Sequence, residues 1–422
     1  MEAVEIGAAR PDELDAMLGL MCESFGLPFA SAREVFYSDP YFEIENKRVL
    51  RVNGRLISCL TLVDTVCWLG AGQARVAGIA GVATVPEWRR RGYAGLLLSE
   101  TVRELARRGY ALSALFPYAY GYYRKFGWEL AGFAHRFLTA PANLPSYPEA
   151  QRVRLAHADD IPALERLYNA AARGKTFHCL RDTKRWRYLF EHVRQRVVYS
   201  PDKVQVEGYL LYDFRTVGGE SGANAPGVVQ PLSLRILEMV AANEAARRGL
   251  IGFLASQDGV GCLEYAATWA DLEANGLLQT VAPGIETKDA LASVEIVPSL
   301  MARVIDLARV AEALRPNWAG FYATLALVMR DPLVETGAQA VIVTGAGLDD
   351  PQVSMARAEA LPPVADSIVG DVGAWSQVVV GHLSGAEACA LGLLQPSTPR
   401  ARALVAQLFP RRTPFLPVPD HF

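Results

Sequence analysis

One short passage constrains this chain of 422 residues more than any other. A strand-like run from Arg75 to Val85 stops at Pro86, and Arg89-Arg90-Arg91-Gly92-Tyr93-Ala94 then opens a helical pattern that ends at Arg108 before Gly109. Proline removes a ladder donor and closes the strand, and glycine past the last turn is a common helix stop. Leu112 to Pro117 reads as a further strand. Strand, helix and strand in that order make a crossover in a mixed sheet. The first N–H groups of a helix have no internal partner and sit at the positive end of its dipole. Gly92 and Ala94 keep side chains out of the way, Arg90 and Arg91 add charge, and a pyrophosphate can approach the backbone there. The bare R-x-x-G-x-A pattern arises by chance roughly once per chain, so its weight comes from lying between strand and helix. The bland alternative is a solvated basic helix start.

Around this passage, Pro11 to Phe25 reads as an amphipathic helix, and Lys47–Val52 with Arg55–Val63 as a hairpin turning at Asn53-Gly54. The proline-rich stretch Thr139 to Gln151 and the segment Glu295 to Ser299 suggest boundaries near 145 and 297. The second is followed by a helical pattern over Met301, Val304, Ile305, Ala308 and Val310. The middle segment repeats the first: Glu244, Arg247, Arg248, Gly249 and Gly252 match Glu87, Arg90, Arg91, Gly92 and Gly95 in register. In the last segment, 342–344 and 377–380 read as strands, Asp349-Asp350-Pro351 as a turn, Pro399–Leu408 as a helix, and the prolines from Pro410 onward as an extended tail.

Composition removes several function classes. A net charge of -3 argues against broad binding to nucleic acid, which requires a basic face. The six cysteines form no C-x-x-C pair and the six histidines are scattered, with His178 beside Cys179 as the only close pair, so neither a metal site nor a disulfide framework is expected. No stretch reaches the ~20 apolar residues that span a bilayer. The opening MEAVEIGAARPDELDAM carries early acids rather than an apolar run. A cytoplasmic protein is expected.

Two further features carry chemistry. Val82-Ala83-Thr84-Val85-Pro86 reads as a strand whose end splays, leaving N–H and C=O groups free for an extended partner. Tyr118-Ala119-Tyr120-Gly121-Tyr122-Tyr123 begins an aromatic segment running to Trp128. Most of its rings read as packing, but a tyrosine hydroxyl, protonated at neutral pH, can also serve as a general acid.

The stretch from Val76 to Trp128 resembles the acetyl-CoA-binding half of a GNAT acetyltransferase, with Tyr123, Phe126, Gly127 and Trp128 similar to the segment after the fifth strand there. In length, in its near-duplicate middle segment and in its terminal Phe422, the whole chain resembles the enhanced intracellular survival (Eis) family of amine acetyltransferases. The resemblance implies an α+β protein. Two tandem GNAT-like mixed-sheet domains, 1–145 (catalytic) and 146–297 (degenerate), would precede a sterol-carrier-protein-like α/β domain, 298–422, whose tail completes the active site.

It implies acetyl-CoA as co-substrate, no metal, a primary amine as substrate (aminoglycoside, polyamine or lysine-type), and a homo-oligomer, a hexamer. Val82, Ala83 and Thr84 would bind the pantetheine; Arg90, Arg91, Gly92, Tyr93, Ala94 and Gly95 the pyrophosphate; and Tyr118 and Ala119 would line the thioester end. Tyr123 would be the general acid and the Phe422 carboxylate the base. The chain departs from the family where Gly26 and Leu27 follow Phe25 and where His421 precedes Phe422, positions at which an acid is found in relatives. In the middle copy Ala246 and Ile251 replace an arginine and Ala94, and no tyrosine matches Tyr123, so that copy is expected to bind no cofactor. Two readings stay beside this one: a longer-chain N-acyltransferase, since protein N-myristoyltransferases also pair two such domains, and a non-catalytic or lipid-carrying protein working through its last domain.

Overall fold

The computed structural model describes residues 3–202, 204–216, 232–280, 292–334, 337–347, 351–356 and 366–422. Its first sheet is built from β1 (Val4–Ala8), β2 (Lys47–Val52), β3 (Arg55–Leu69), β4 (Gly72–Thr84), β5 (Leu112–Leu115) and β6 (Glu129–Leu130), with one strand from far down the chain between the last two. The β2–β3 turn is as the sequence predicts: Asn53 and Gly54 both take positive φ, 50° and 80°, the type I′ geometry that matches strand twist. Helices α1 (Leu14–Phe25) and α2 (Phe29–Ser38) follow β1, and α3 (Tyr93–Arg107) carries the chain from β4 to the parallel β5. α3 buries Leu97, Leu98, Val102 and Leu105 with Leu60, Leu62, Ala77 and Ile79 of the sheet. α1 buries Met17, Leu18 and Met21 with Val49, Cys59 and Ala83. Side chains alternate between faces along a strand, so the sheet separates two apolar layers. A short α4 (Tyr120–Arg124) precedes β6.

The second sheet comprises β7 (Phe133–Thr139), β8 (Val153–Leu155), β9 (Gln195–Tyr199), β10 (Gly208–Thr216), β11 (Leu232–Ala241), β12 (Val260–Ala267) and β13 (Ala292–Pro298), in the order β13-β7-β12-β11-β10-β9-β8. Helices α5 (Ile161–Ala172) and α6 (Thr183–His192) precede β9, and α7 (Glu244–Ala255) joins β11 to the parallel β12. The same crossover therefore occurs twice. The sheets also exchange strands. β7, which follows the first sheet's β6, pairs with β12 of the second, and β14 (Met301–Val304), which follows the second sheet, pairs with β5 and β6 of the first. The proline-rich stretch near 145 thus lies beyond β7 and does not separate the two sheets.

The structure departs from the predicted elements at two places. The pattern beginning at Met301 is β14 and then α10 (Leu307–Leu314), after the connecting helices α8 (Trp269–Ala274) and α9 (Leu277–Thr280). Met301 to Val304 is buried throughout between two partner strands, and Asp306 caps α10 by accepting from the Arg309 N–H. A run buried on both faces, Arg303 included through its buried pair with Asp331, shows no alternation to distinguish strand from helix. The third sheet holds β15 (Thr324–Arg330), β16 (Ala338–Thr344), β17 (Gln352–Ala356), β18 (Ser367–Asp371) and β19 (Leu394–Pro396), with β15 parallel to β18. Residues 377–380, expected as a strand, belong instead to α11 (Val372–Val379) and its end, a helix capped by Asp371 and buried around Trp375. α12 (Gly385–Ala390) and α13 (Pro399–Leu408) complete this layer, and the predicted turn at 349–351 lies largely outside the described residues.

Candidate active site

β4 pairs with β3 along its whole length but with β5 only from Val76 to Ile79. Beyond Ile79 its edge toward β5 has no strand partner among the described residues. Thr61 faces Ala80 and Cys59 faces Ala83, so Gly81 and Val82 together occupy the space opposite Leu60. This is a β-bulge, and Gly81 adopts φ 60° in it. A side chain at Gly81 would collide with the Met21 sulfur of α1. Val82 and Thr84 are half-buried and Ala83 is buried, its C=O accepting from Ser58 Oγ at 2.8 Å.

After Thr84 the chain makes one 3-10 turn, Pro86–Trp88, and Arg89 folds the loop back, its Nε donating to the Thr84 C=O at 2.9 Å. Arg89 is a structural residue that the motif alone did not separate from its neighbours. Arg90, at φ 62°, and Arg91 are exposed and form no ion pair among the described residues; the Arg91 guanidinium lies 4.9 Å over the Trp88 ring. Gly92 is the N-cap of α3 at φ 89°, with no side chain to cap the helix and open space where a Cβ would sit. The first helical bond runs from the Leu96 N–H to the Gly92 C=O at 3.0 Å. The N–H groups of Ala94 and Gly95 therefore lie in the turn that a helix leaves without internal partners. Tyr93 is buried beneath them. Gly95 also has a packing role, since a Cβ there would approach Phe126 to 2.9 Å.

Tyr118 is 73% exposed, and Ala119 caps α4. Tyr123, one turn on, is buried; its ring meets Tyr118 at 5.6 Å and Tyr122 at 5.2 Å and packs in the layer containing Ala77, Ile79 and Leu115. Burial, with smaller contributions from Tyr118 and Tyr122, raises the Tyr123 hydroxyl well above its usual value, so it stays protonated.

Phe422 arrives on the other face of β4. A Cβ at Gly78 would lie 2.7 Å from its ring, and Phe116 stands 5.9 Å away. Because Gly78 alternates with Ala77 and Ile79, Tyr123 and Phe422 flank the same strand from opposite sides. The need for glycine at 78 left no local signal in the sequence.

The tail is held by the second unit. Asp420 accepts from Arg181 Nε and Nη2 at 2.9 and 2.8 Å, Arg181 also holds Glu238 at 2.8 and 2.7 Å, and Tyr168 donates to Asp420 at 3.3 Å. Arg185 Nη2 donates to the Pro419 C=O at 2.6 Å. Burial tends to raise the Asp420 carboxyl, but the Arg181 charge and hydrogen bonds outweigh it and hold the group below the usual carboxylate value.

Between α1, α2, β3, α6 and this tail lies a cavity of about 1720 Å³, larger than most small-molecule sites. Asp39, Glu43 and Glu165 line it without ion pairs among the described residues. Lys47, 4% exposed, also lines it without an ion pair, its ammonium 4.2 Å over the Phe36 ring, and burial lowers its pKa to about 8. Neither α2 nor these acids stood out in the sequence.

The described residues contain no cluster of three or more His, Cys, Asp or Glu placed to hold a metal, and no helix long and apolar enough to cross a membrane.

Residues 5–131 match one acetyltransferase (GNAT) domain family, and residues 178–282 match a second acetyltransferase (GNAT) domain family. No curated protein matches the chain. Among solved structures, a GCN5-related N-acetyltransferase from Anabaena variabilis superposes with a TM-score of 0.80 at 19% identity, covering 100% of both chains. A probable N-acyltransferase from Enterococcus faecalis gives 0.79 at 21%, and Eis1 from Mycobacterium abscessus 0.69 at 18%, each again covering 100% of both chains. At these identities the likeness establishes a shared fold along the whole length. With two acetyltransferase domains on that fold, the chain is an acyltransferase of the GNAT superfamily.

Proposed function

We propose that the chain transfers the acetyl group of acetyl-CoA to a primary amine by direct transfer in a ternary complex. The observation that carries this reading is an uncapped helix N-terminus that follows, after one loop, a strand that parts from its neighbour. Acetyl-CoA supplies an acetyl group activated as a thioester. The free edge of Val82, Ala83 and Thr84 suits the amides of the pantetheine arm. The first turn of α3 at Tyr93, Ala94 and Gly95, with Gly92, Arg90 and Arg91, suits the pyrophosphate. Tyr118 and Ala119 border the thioester end, and N–H groups of the splayed strand are available to stabilise developing negative charge. The Tyr123 hydroxyl gives its proton to the departing sulfur, and the Phe422 carboxylate takes one from the amine. An α-carboxylate is a weak base, with a pKa near ~3.5, and acts here by being held close to the amine out of bulk water.

The unpaired acids of the cavity outnumber Lys47 and favour a cationic acceptor: an aminoglycoside, a polyamine or a lysine side chain. In this reading the unit of the first sheet is catalytic, the unit of the second binds no cofactor and anchors the tail, and the last unit is sterol-carrier-like and supplies that tail. The protein works in the cytoplasm as a homo-oligomer, a hexamer.

The test is acetyl-CoA turnover with a panel of amines, on the native chain and on one extended a few residues past Phe422. Activity only in the native chain supports the terminal base, equal activity removes Phe422 from that role, and no acetyl-CoA binding sinks the proposal. Tyr123→Phe should lower kcat by about 100-fold with acetyl-CoA affinity unchanged; full kcat would remove Tyr123 as the acid.

A further inference from the structure

Cys67 lies on β3 of the first sheet, and Cys179 lies in the segment that leads into α6. They face each other in an isolated antiparallel bridge. The flanking bonds, Trp68 N–H to His178 C=O at 2.9 Å and Leu180 N–H to Val66 C=O at 2.8 Å, skip both cysteines, which makes them a non-hydrogen-bonded pair. In such a pair the Cα atoms stand about 4.5 Å apart, within the ~4.4–6.8 Å that a disulfide spans. The two thiols are free, buried and 3.3 Å apart. Closing to the ~2.05 Å of a bond requires movement on the order of 1 Å. Cys179 lines the large cavity, which gives a small oxidant a route to the pair.

We propose that Cys67 and Cys179 form a redox modification site that a small disulfide oxidant converts to one intramolecular disulfide. The Cys179 sulfur attacks the oxidant's S–S bond and releases one thiol. The Cys67 sulfur then displaces the second thiol from Cys179. The protons lost by the two cysteines end on the two released thiols, and the electron pair passes to the oxidant. The neighbouring Cys179 thiol and burial both push the Cys67 thiol up, so Cys67 is held protonated.

The cross-link has a structural consequence. Cys179 precedes the tail anchor Arg181 by two residues, and the Tyr168 hydroxyl shares its one proton between the Cys179 C=O at 2.9 Å and Asp420 at 3.3 Å. The disulfide would fasten one wall of the cavity to the segment that holds the tail, across a sequence separation of 112 residues. A loop of that size restricts the unfolded chain strongly, and a Tm increase on the order of 5 °C is expected.

The experiment incubates the full chain with oxidised glutathione or with dithiothreitol, alkylates it in denaturant and maps its peptides by mass spectrometry, with Tm measured in parallel. The expected result is a linked Cys67–Cys179 peptide pair, two fewer alkylated thiols, and a Tm increase reversed by dithiothreitol and absent in Cys67→Ser. Recovery of both cysteines as alkylated thiols, or as stable glutathione adducts, overturns the site. Should Cys67→Ser fail to fold, the peptide map of the unaltered chain decides alone.

Discussion

The two crossover units share a strand–helix–strand topology and differ in how they handle charge. In the first, the eight residues 85–92 separate β4 from α3, and the helix opens on an uncapped Gly92. In the second, only residues 242 and 243 separate β11 from α7, and the Asn243 side chain caps the helix by accepting from the Ala246 N–H at 2.9 Å. Arg90 and Arg91 carry no ion pair among the described residues, whereas Arg247 and Arg248 both close onto Glu244. The first copy leaves its helix start uncapped and its arginines without ion pairs among the described residues, and the second satisfies its own groups. The second unit's buried charge, Arg181 with Glu238 and Asp420, is directed at the chain's own tail. The difference teaches that a shared topology leaves the loop and the cap, and with them the charge at the helix start, free to differ.

The largest effect that would break this comparison is at the tail. Asp420→Ala leaves the fully buried Arg181 with one carboxylate and should cost about 3 kcal/mol in denaturant unfolding, because removing one partner strands a buried charge. Turnover should fall with it by about 100-fold, and unchanged turnover would mean that the second unit is no anchor. The pH dependence has a definite sign. Asp420 titrates below its unfolded value of ~3.9, so its contribution is complete above that value and lost as pH falls through the lower folded one. Acid unfolding of the unaltered chain should therefore be steeper below about pH 4 than that of Asp420→Ala.

Next in size, Arg90→Ala with Arg91→Ala should raise the KM for acetyl-CoA by about 10–100-fold, as loss of one or two charge-assisted contacts would. Arg247→Ala with Arg248→Ala, in the matched sequence positions, should leave it unchanged and cost less than about 0.5 kcal/mol. If both pairs behave alike, the two helix starts are equivalent after all. The smallest effect sharpens the contrast: Asn243→Ala should cost about 1 kcal/mol in stability and leave KM alone.

Local features were legible. Asn53-Gly54, the stop at Pro86, Gly92 before a helix and Gly109 after it each specify geometry within a few residues, and the expected residues from Val82 to Gly95 follow one another along β4, its loop and α3. The repeat was legible as topology but not in register. Matching Arg-Arg-Gly placed Gly249 against Gly92, yet Gly249 lies inside α7, where a Cβ would collide with the Tyr199 ring, and the residue that holds the place of Gly92 is Asn243, six positions earlier. A short similarity between helical segments carries no information about where each helix begins. What stayed hidden was long-range: Gly78 against Phe422, Arg181 against Asp420, the unpaired acids of the cavity, and the exchange of β7 and β14. No pattern along the chain encodes which distant strand will complete a sheet edge.

The strand exchange sets a timetable for synthesis. The edge of β5 has no partner until Met301–Val304 has left the ribosome, some 190 residues after Leu115. At the usual 5–20 residues per second that is roughly 10–40 s of translation, during which the nascent first sheet presents an open edge, the element through which partly made chains pair with the wrong neighbour.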